Sequence, residues 1–364
     1  MPYPDEFEGF MINELGKYKD FKKQSFKPKV FGDNDVDIQI ECCGVCGSDV
    51  HTVTGGWGDA PTPLCVGHEV VGKAVKVGSK VKSVKPGDRV GVGAQVWSCL
   101  ECAQCKSDNE NYCPHLVDTY GAPYPKHVDP DETVSQGGYA SHIRAHEYFV
   151  FPIPDVIPSH LAAPMLCAGL TVWSPLVRAG VGPGSRVAVV GLGGLGHFAV
   201  LWARALGAEV TVISHSPDKH GDAETLGATH FVSSGAEDWA KPLAFRFDFV
   251  LNTADMTHEF DIPAYLSILK VGCRFHQVGL PDEPIPNLKP QQFTANNSSI
   301  GASHIGSRPE CLAMLKLAAE KKLFPMVETL PVGEKGCAEA VERVKTNDVH
   351  YRFTLVDYDK AFGT

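Results

Sequence analysis

No apolar run among the 364 residues approaches the roughly 20 needed to cross a bilayer, so no membrane span is expected. Lys and Arg never gather into a block, and acids outnumber them 43 to 33. Nucleic acid and anionic membrane surfaces are therefore poor partners. The net charge of −10 mainly favours solubility. The first residues, Met-Pro-Tyr-Pro-Asp-Glu, lack the basic and apolar regions of a secretory leader. Twelve cysteines without such a leader point to a reducing compartment, the cytoplasm, with thiols free or on metal. What remains is ordinary globular composition, 43% hydrophobic and 21% charged, in a chain long enough for two or three domains.

Four of the cysteines crowd together. Cys99, Cys102, Cys105 and Cys113 follow a Cys-x2-Cys-x2-Cys-x7-Cys spacing. Two-residue gaps let thiolates converge on one ion, and four thiolates make the closed tetrahedral shell of structural zinc. The intervening Lys106, Ser107, Asp108, Asn109, Glu110 and Asn111 are polar and bury little, so a metal explains the order of this lobe, about 95–115, better than a core does. Unrelated thiols or a disulfide cluster are the alternatives, and this spacing disfavours them.

Residues 28–100 read as β. Asp35–Glu41 alternates apolar and polar residues as a half-buried strand does, and Val70–Val77 and Val81–Val84 are further short β runs. Lys85-Pro86-Gly87-Asp88 is a turn. Closely spaced strands with Gly and Pro between them suggest a small barrel or sandwich. Cys46 and His68 lie on separate loops and are candidate ligands of a second zinc, although a lone His beside a strand is more often a surface or core residue. Cys42, Cys43 and Cys65 read as small buried apolar residues. Residues 118–136 read as a long loop of the kind that often serves function. Trp57, Trp97, Tyr120 and Tyr124 lie on turn-rich segments, where they either cover the core or wall a pocket.

After Pro154 the pattern changes. Ser159–Gly180 has helical character, with Ser159 placed to cap it. The apolar run Arg186–Val190 then leads through Gly191-Leu192-Gly193-Gly194-Leu195-Gly196 into a helical stretch. In this strand–turn–helix context Gly191 permits the tight turn, Gly193 lets the backbone approach a pyrophosphate, and Gly196 lets helix and strand pack closely. The helix N-terminus offers amides to the phosphates. The next strand, Glu209–Ile213, ends at Ser214-His215-Ser216-Pro217-Asp218-Lys219. An NAD site usually carries Asp or Glu there. Ser214 stands in that place, and Ser216, His215 and Lys219 offer donors to a 2′-phosphate, which favours NADP. Phe247–Asn252 and Val271–Val278 read as further strands, so the second part is a doubly wound parallel sheet. Leu312–Lys322 and Glu334–Val344 read as helices and 350–356 as a last strand.

Zinc-type cysteines ahead of a dinucleotide fold resemble the zinc-dependent medium-chain alcohol dehydrogenases, most closely their cinnamyl alcohol dehydrogenase branch and its broad-specificity NADP-dependent fungal members. The carriers are Cys43–His51 (CGVCGSDVH), Gly67-His68-Glu69, the four-cysteine lobe, Gln136-Gly137-Gly138-Tyr139-Ala140, Leu161–Val172 (LAAPMLCAGLTV), the glycine turn and Val349–Phe353 (VHYRF). The resemblance implies an α/β protein: a Rossmann doubly wound parallel sheet plus a mainly β GroES-like catalytic domain with a structural-zinc lobe. It implies a catalytic domain over 1–155, a dinucleotide-binding domain over 156–304 and a return to the catalytic domain over 305–364, with the active site in the cleft between lobes.

By the same resemblance Cys46, His68 and Cys167 ligate the catalytic zinc, a Cys2His set established for alcohol dehydrogenases generally. Glu69 can take the fourth position, and Asp49 orients the histidine. Ser48 and His51 form a proton relay. Thr171, Val278 and Ser303 line the cofactor, and Arg352 lies near its pyrophosphate. Two zinc ions per chain and NADP(H) are thus expected. So is a homodimer acting on aromatic or aliphatic primary alcohols and aldehydes. Trp57, Trp97 and Tyr120 are candidates for the substrate wall. Polyol or threonine dehydrogenases of the same superfamily are the nearest alternative, but they typically carry an acidic residue where this chain has Ser214. A non-catalytic zinc-stabilised binding protein is the alternative of another class, and it would hold one zinc. Six cysteines (Cys42, Cys43, Cys65, Cys273, Cys311 and Cys337) are left without chemistry.

Overall fold

The computed structural model describes residues 4–363 except 216, 257–259, 283 and 286–287. The chain divides into two units, Met1–Cys167 with Ser307–Thr364, and Ala168–Gly306. The first boundary falls later than residue 155. Residues 159–166 belong with the β unit, where they pack on the strands Asp35–Val45 and Glu69–Val77.

The first unit is built on a seven-stranded sheet. Its path runs Val327–Pro331, Arg352–Val356, Asp35–Val45, Glu69–Val77, Arg89–Val92 and Val150–Pro152, and His142–His146 also pairs with Asp35–Val45. Only the first pair is parallel, joined across the helix Glu334–Lys345. The expected half-buried alternation over Asp35–Glu41 does not hold, because Asp35 and Asp37 are buried too. Each is paired, Asp35 with Lys29 and Asp37 with Arg144 at 2.7 Å, which makes burial of the charge tolerable. Val81–Val84 is not a strand. The amides of Lys82 and Ser83 turn instead to the Glu147 carboxylate, at 3.1 and 3.2 Å.

The second unit holds a six-stranded, all-parallel sheet in the order His230–Ser233, Glu209–Ser214, Arg186–Val190, Phe247–Asn252, Leu269–Gln277 and Ser299–Ala302. Its three central strands, Glu209–Ser214, Arg186–Val190 and Phe247–Asn252, are mostly buried, as cover on both faces requires, and the outer strands are more exposed. The strand order reverses between Arg186–Val190 and Phe247–Asn252, and the glycine turn leaves the chain at that switch point, where such sheets bind ligands. Among the described residues no single helix is long and apolar enough to cross a membrane.

The helical stretch expected over 159–180 is broken. A short helix, Ser159–Ala162, runs into a tight turn, Ala163–Leu166, and a second helix begins at Ala168. Pro164 lies in that turn. Cys167 stands at the break with φ −123° and ψ −73°, outside helical geometry. Ser159 does not cap. Its hydroxyl lies 3.3 Å from an Arg89 guanidinium nitrogen and 3.3 Å from a Glu41 carboxylate oxygen.

Candidate active site

The four-cysteine lobe closes on one point. Adjacent sulfurs lie 3.5 Å apart for Cys102–Cys105 and Cys113–Cys99, 3.9 Å for Cys102–Cys113 and 4.0 Å for Cys99–Cys105. A tetrahedron with Zn–S of about 2.3 Å has sulfurs about 3.8 Å apart, so the quartet fits zinc, and it is far from disulfide length. The amides of Cys105 and His115 point at Cys102 and Cys113 sulfurs, at 3.5 and 3.4 Å. Metal-free, neighbouring thiols of the quartet are pushed in opposite directions. Burial pushes Cys105 up to about 12, whereas amide hydrogen bonds from Glu101 and Cys102 overcome burial and hold Cys99 at about 6. A divalent cation removes the conflict. Leu100, between the ligands Cys99 and Cys102, sits at φ +55°, a region that costs a non-glycine residue about 1–2 kcal/mol.

The second cluster gathers residues far apart in sequence. Cys46, His68, Glu69 and Cys167 are all buried, and one ligand atom from each lies within 4.8 Å of the others. Cys46 follows the strand Asp35–Val45 and caps the helix Gly47–Thr54, with the Asp49 carboxylate accepting from the Cys46 amide at 2.9 Å. The Cys46 and Cys167 sulfurs are 4.0 Å apart, and His68 Nε2 is 3.1 Å from Cys167 Sγ. About 3.8 and 3.5 Å are expected around tetrahedral zinc, and two sulfurs with one imidazole suit that ion.

The charges in this pocket point the same way. The Cys167 thiol, by its hydrogen bond, holds Cys46 well below the usual thiol range, while the shared contact pushes Cys167 well above it. Burial opposes a charge on His68, yet Asp49 and the Cys46 thiolate lift it to about 9. Burial also pushes Glu69 up to about 7 despite Arg352. Glu69 Oε1 accepts from Arg352 at 2.5 Å, and its Oε2 is buried with no hydrogen-bond partner. An orphaned carboxylate oxygen beside two sulfurs and an imidazole is a vacant ligand for a cation. Gly44 makes room for it, since a Cβ there would stand 1.9 Å from Glu69 Oε2.

Around the trio, Asp49 Oδ1 lies 3.5 Å from His68 Nδ1 and accepts from the Gly67 amide at 3.1 Å. Burial raises the Asp49 carboxyl. The Ser48 hydroxyl is 3.6 Å from Cys46 Sγ. The His51 ring stacks on Trp57 at 4.8 Å. Of the three aromatic wall candidates, Tyr120 stacks on the His68 ring, Trp57 is 44% exposed against His51, and Trp97 is buried edge-on to His127.

The nucleotide turn is built as the spacing requires. Gly191 has φ +81°, and a Cβ on Gly196 would lie 2.1 Å from the Gly191 carbonyl oxygen. A Cβ on Gly193 would meet nothing within 4 Å, which leaves open space over the turn where a pyrophosphate would approach. Lys219 Nζ donates to the Leu192 carbonyl at 2.8 Å, tying the end of the second strand to the turn. Ser214 ends that strand and His215 follows it, and their carbonyls accept from the Ser234 amide at 2.9 Å and the Ser233 hydroxyl at 3.0 Å. Ser216 lies outside the described residues. The Val278 amide donates to the Asn252 carbonyl at 3.0 Å. The Ser303 hydroxyl lies 2.9 Å from His276 Nε2. Thr171 is half-buried on the helix Ala168–Arg178.

Three features escaped the sequence. Arg352, expected near a pyrophosphate, pairs with Glu69. Tyr120 lies against a presumed metal ligand rather than merely on a loop. The Thr253 hydroxyl reaches the carbonyls of Val190 and Gly191, at 2.9 and 3.1 Å, and steadies the turn. No local pattern signals any of them.

Comparison with known proteins agrees with this geometry. Residues 32–155 match the alcohol dehydrogenase GroES-like domain, and residues 194–320 match the zinc-binding dehydrogenase domain. The chain is 50% identical to NADP-dependent alcohol dehydrogenase 6 of Saccharomyces cerevisiae, over 100% of both chains. A cinnamyl alcohol dehydrogenase from Sorghum bicolor superposes with a TM-score of 0.89 at 36% identity, covering 96% of this chain and 97% of that one. A Helicobacter pylori cinnamyl alcohol dehydrogenase, solved with NADP(H), gives 0.87 at 33% identity, covering 96% and 98%. With a closed thiolate quartet, a second cluster of zinc-type donors and a glycine turn at the switch point already in place, these matches establish that the chain belongs to the zinc-binding medium-chain alcohol dehydrogenases, in their cinnamyl alcohol dehydrogenase branch.

Proposed function

We propose that this protein is an NADP-dependent alcohol dehydrogenase that reduces aromatic and aliphatic aldehydes and oxidises the corresponding primary alcohols. The observation that carries the reading is the convergence of Cys46, His68 and Cys167 beside the orphaned Glu69 oxygen. These residues would hold a catalytic zinc, which supplies Lewis acidity toward a carbonyl oxygen. NADP(H) supplies the hydride chemistry. Cys99, Cys102, Cys105 and Cys113 would hold a second, structural zinc.

The chain's own residues then orient and move protons. Asp49 directs the His68 ring by facing its Nδ1. Ser48, beside Cys46, hands a proton to or from the substrate oxygen, and His51 passes it on. Trp57, stacked on His51, walls the substrate side with Trp97 and Tyr120. Gly191–Gly196, Thr171, Val278 and Ser303 receive the cofactor. Ser214, His215, Ser216 and Lys219 select its 2′-phosphate. Twelve cysteines outside any disulfide, six of them placed to hold zinc, suit a cytoplasmic location. The homodimer rests on the resemblance alone.

A turnover panel of aromatic aldehydes, aliphatic aldehydes and polyols with NADPH and NADH tests the reading. The expected kcat/KM for aldehydes with NADPH exceeds that with NADH by about tenfold or more, and polyols turn over poorly. His215 is a weaker phosphate partner than arginine's fixed fork, so the NADPH preference should be less strict than an arginine there would give. Equal or better efficiency with NADH overturns the cofactor choice, and cofactor binding without turnover supports a non-catalytic protein.

Ser48→Ala is expected to lower hydride-transfer turnover by about 10²-fold, within the range of general acid–base catalysis, while zinc content stays at two per chain. Single-turnover kinetics beside metal analysis read both. Full activity in the variant removes Ser48 from the relay.

A further inference from the structure

We propose that Tyr120 is a positioning residue of the metal centre, holding the His68 imidazole from its face. The proposal rests on the reading of Cys46, His68 and Cys167 as a zinc site. Its starting point is a weakness in the hold that Asp49 has on His68. Their separation is 3.5 Å, longer than the roughly 2.7–3.2 Å of a good N–H···O bond. Asp49 is also heavily shared. Oδ1 accepts from the Gly67 amide at 3.1 Å, and Oδ2 accepts from the Cys46 amide at 2.9 Å and the Tyr139 hydroxyl at 3.4 Å. A long in-plane contact leaves an imidazole free to tilt about it.

Tyr120 supplies the missing restraint. Its ring stacks on the His68 ring with centroids 5.6 Å apart and planes 26° apart, inside the range of offset aromatic pairs.

The backbone around Tyr120 is fixed on both sides. The Thr119 hydroxyl and amide donate to the carbonyls of Gly93 and Ala94, at 2.5 and 3.0 Å. The Gly121 amide donates to the Ser135 carbonyl at 2.9 Å, and the Ala122 amide to the Ser135 hydroxyl at 3.1 Å. The ring therefore meets His68 from a rigid mount, which a positioning role demands.

The test uses the full-length zinc enzyme with Tyr120→Phe, which keeps the ring and loses the hydroxyl, and Tyr120→Leu, which loses both. Zinc release to a chromophoric chelator is followed beside the visible spectrum of enzyme carrying cobalt(II) at the catalytic site, with kcat and KM for one aldehyde. The expected result is release from the Cys46–His68–Cys167 site about tenfold faster in Tyr120→Leu, within the range for partners that support metal ligands, and near the wild-type rate in Tyr120→Phe, which keeps the ring. The cobalt bands shift, and the four-cysteine site releases its zinc at the wild-type rate. Unchanged release and spectrum with only a raised KM make Tyr120 a wall and overturn the proposal. Equal acceleration at both sites shows general loosening and overturns it too. A wild-type enzyme with a single zinc defeats the underlying reading instead, and is seen before any variant is made.

Discussion

Replacing Cys167 by serine is expected to reduce turnover by well over a hundredfold and to leave one zinc per chain. Losing a partner that merely supports a ligand costs about 10–100-fold in such sites, and losing a ligand costs more. Cys167 stands at a break between a tight turn and a helix, so the backbone there has no freedom to bring a shorter C–O bond onto the ion. Its surroundings are also closely packed. A Cβ on Gly93 would lie 2.7 Å from the Leu166 carbonyl oxygen, and one on Gly91 would lie 2.4 Å from a Leu166 methyl. The remaining Cys46, Glu69 and His68 would then face one another in a buried pocket without a cation, an arrangement that favours protonation over metal binding. Metal analysis with steady-state kinetics checks the prediction. A variant that keeps two zinc ions and near-normal turnover would contradict the ligand assignment.

Cys105→Ala is expected to act on stability rather than on chemistry. Cys105 is one of the two most buried ligands of the quartet, and its loss leaves three crowded thiols and Leu100 still at positive φ. Binding free energies for structural zinc run about 10–16 kcal/mol in isolated peptides, and a lobe tethered at both ends loses only part of that. A loss of about 3 kcal/mol corresponds to a fall in Tm of roughly 6–12 °C for a unit of this size. The damage should spread, because the lobe's Glu110 carboxylate accepts from the Arg308 amide at the start of the helix Arg308–Lys321, and the Arg308 guanidinium holds the carbonyls of Tyr148 and Val150. Calorimetry and limited proteolysis read the effect, with faster cleavage across residues 99–113. An unchanged Tm with one zinc lost would mean that the lobe is ordered by something other than its ion.

How much of this was legible in the sequence depended on how local each feature is. The quartet is encoded within fifteen residues, and its sulfurs meet as the spacing requires. The glycine turn is local too, and its backbone angles follow from glycine being placed where only glycine fits. The Cys46–His68–Cys167 cluster was not readable from spacing, since its third member arrives 99 residues after the second. Only the resemblance to a known family promoted it. Arg352 and Glu69, 283 residues apart, lie beyond any local pattern, and so does Tyr120 against His68. The misread segments share a cause. Over Asp35–Glu41 the alternation predicts one wet face, but Lys29 and Arg144 accompany the acids into the interior. At Val81–Val84 the β-branched residues predict a strand, yet this stretch pairs with no strand among the described residues, and the Glu147 side chain takes the amides of Lys82 and Ser83 instead.

The most direct test is anomalous scattering from crystals of the zinc-loaded enzyme, measured on either side of the zinc absorption edge. Two zinc peaks per chain are predicted, one among the sulfurs of Cys99, Cys102, Cys105 and Cys113, the other within bonding distance of Cys46 Sγ, His68 Nε2 and Cys167 Sγ. A single peak at the four-cysteine lobe, in crystals of protein that still turns over aldehyde, would contradict the assignment of the catalytic centre.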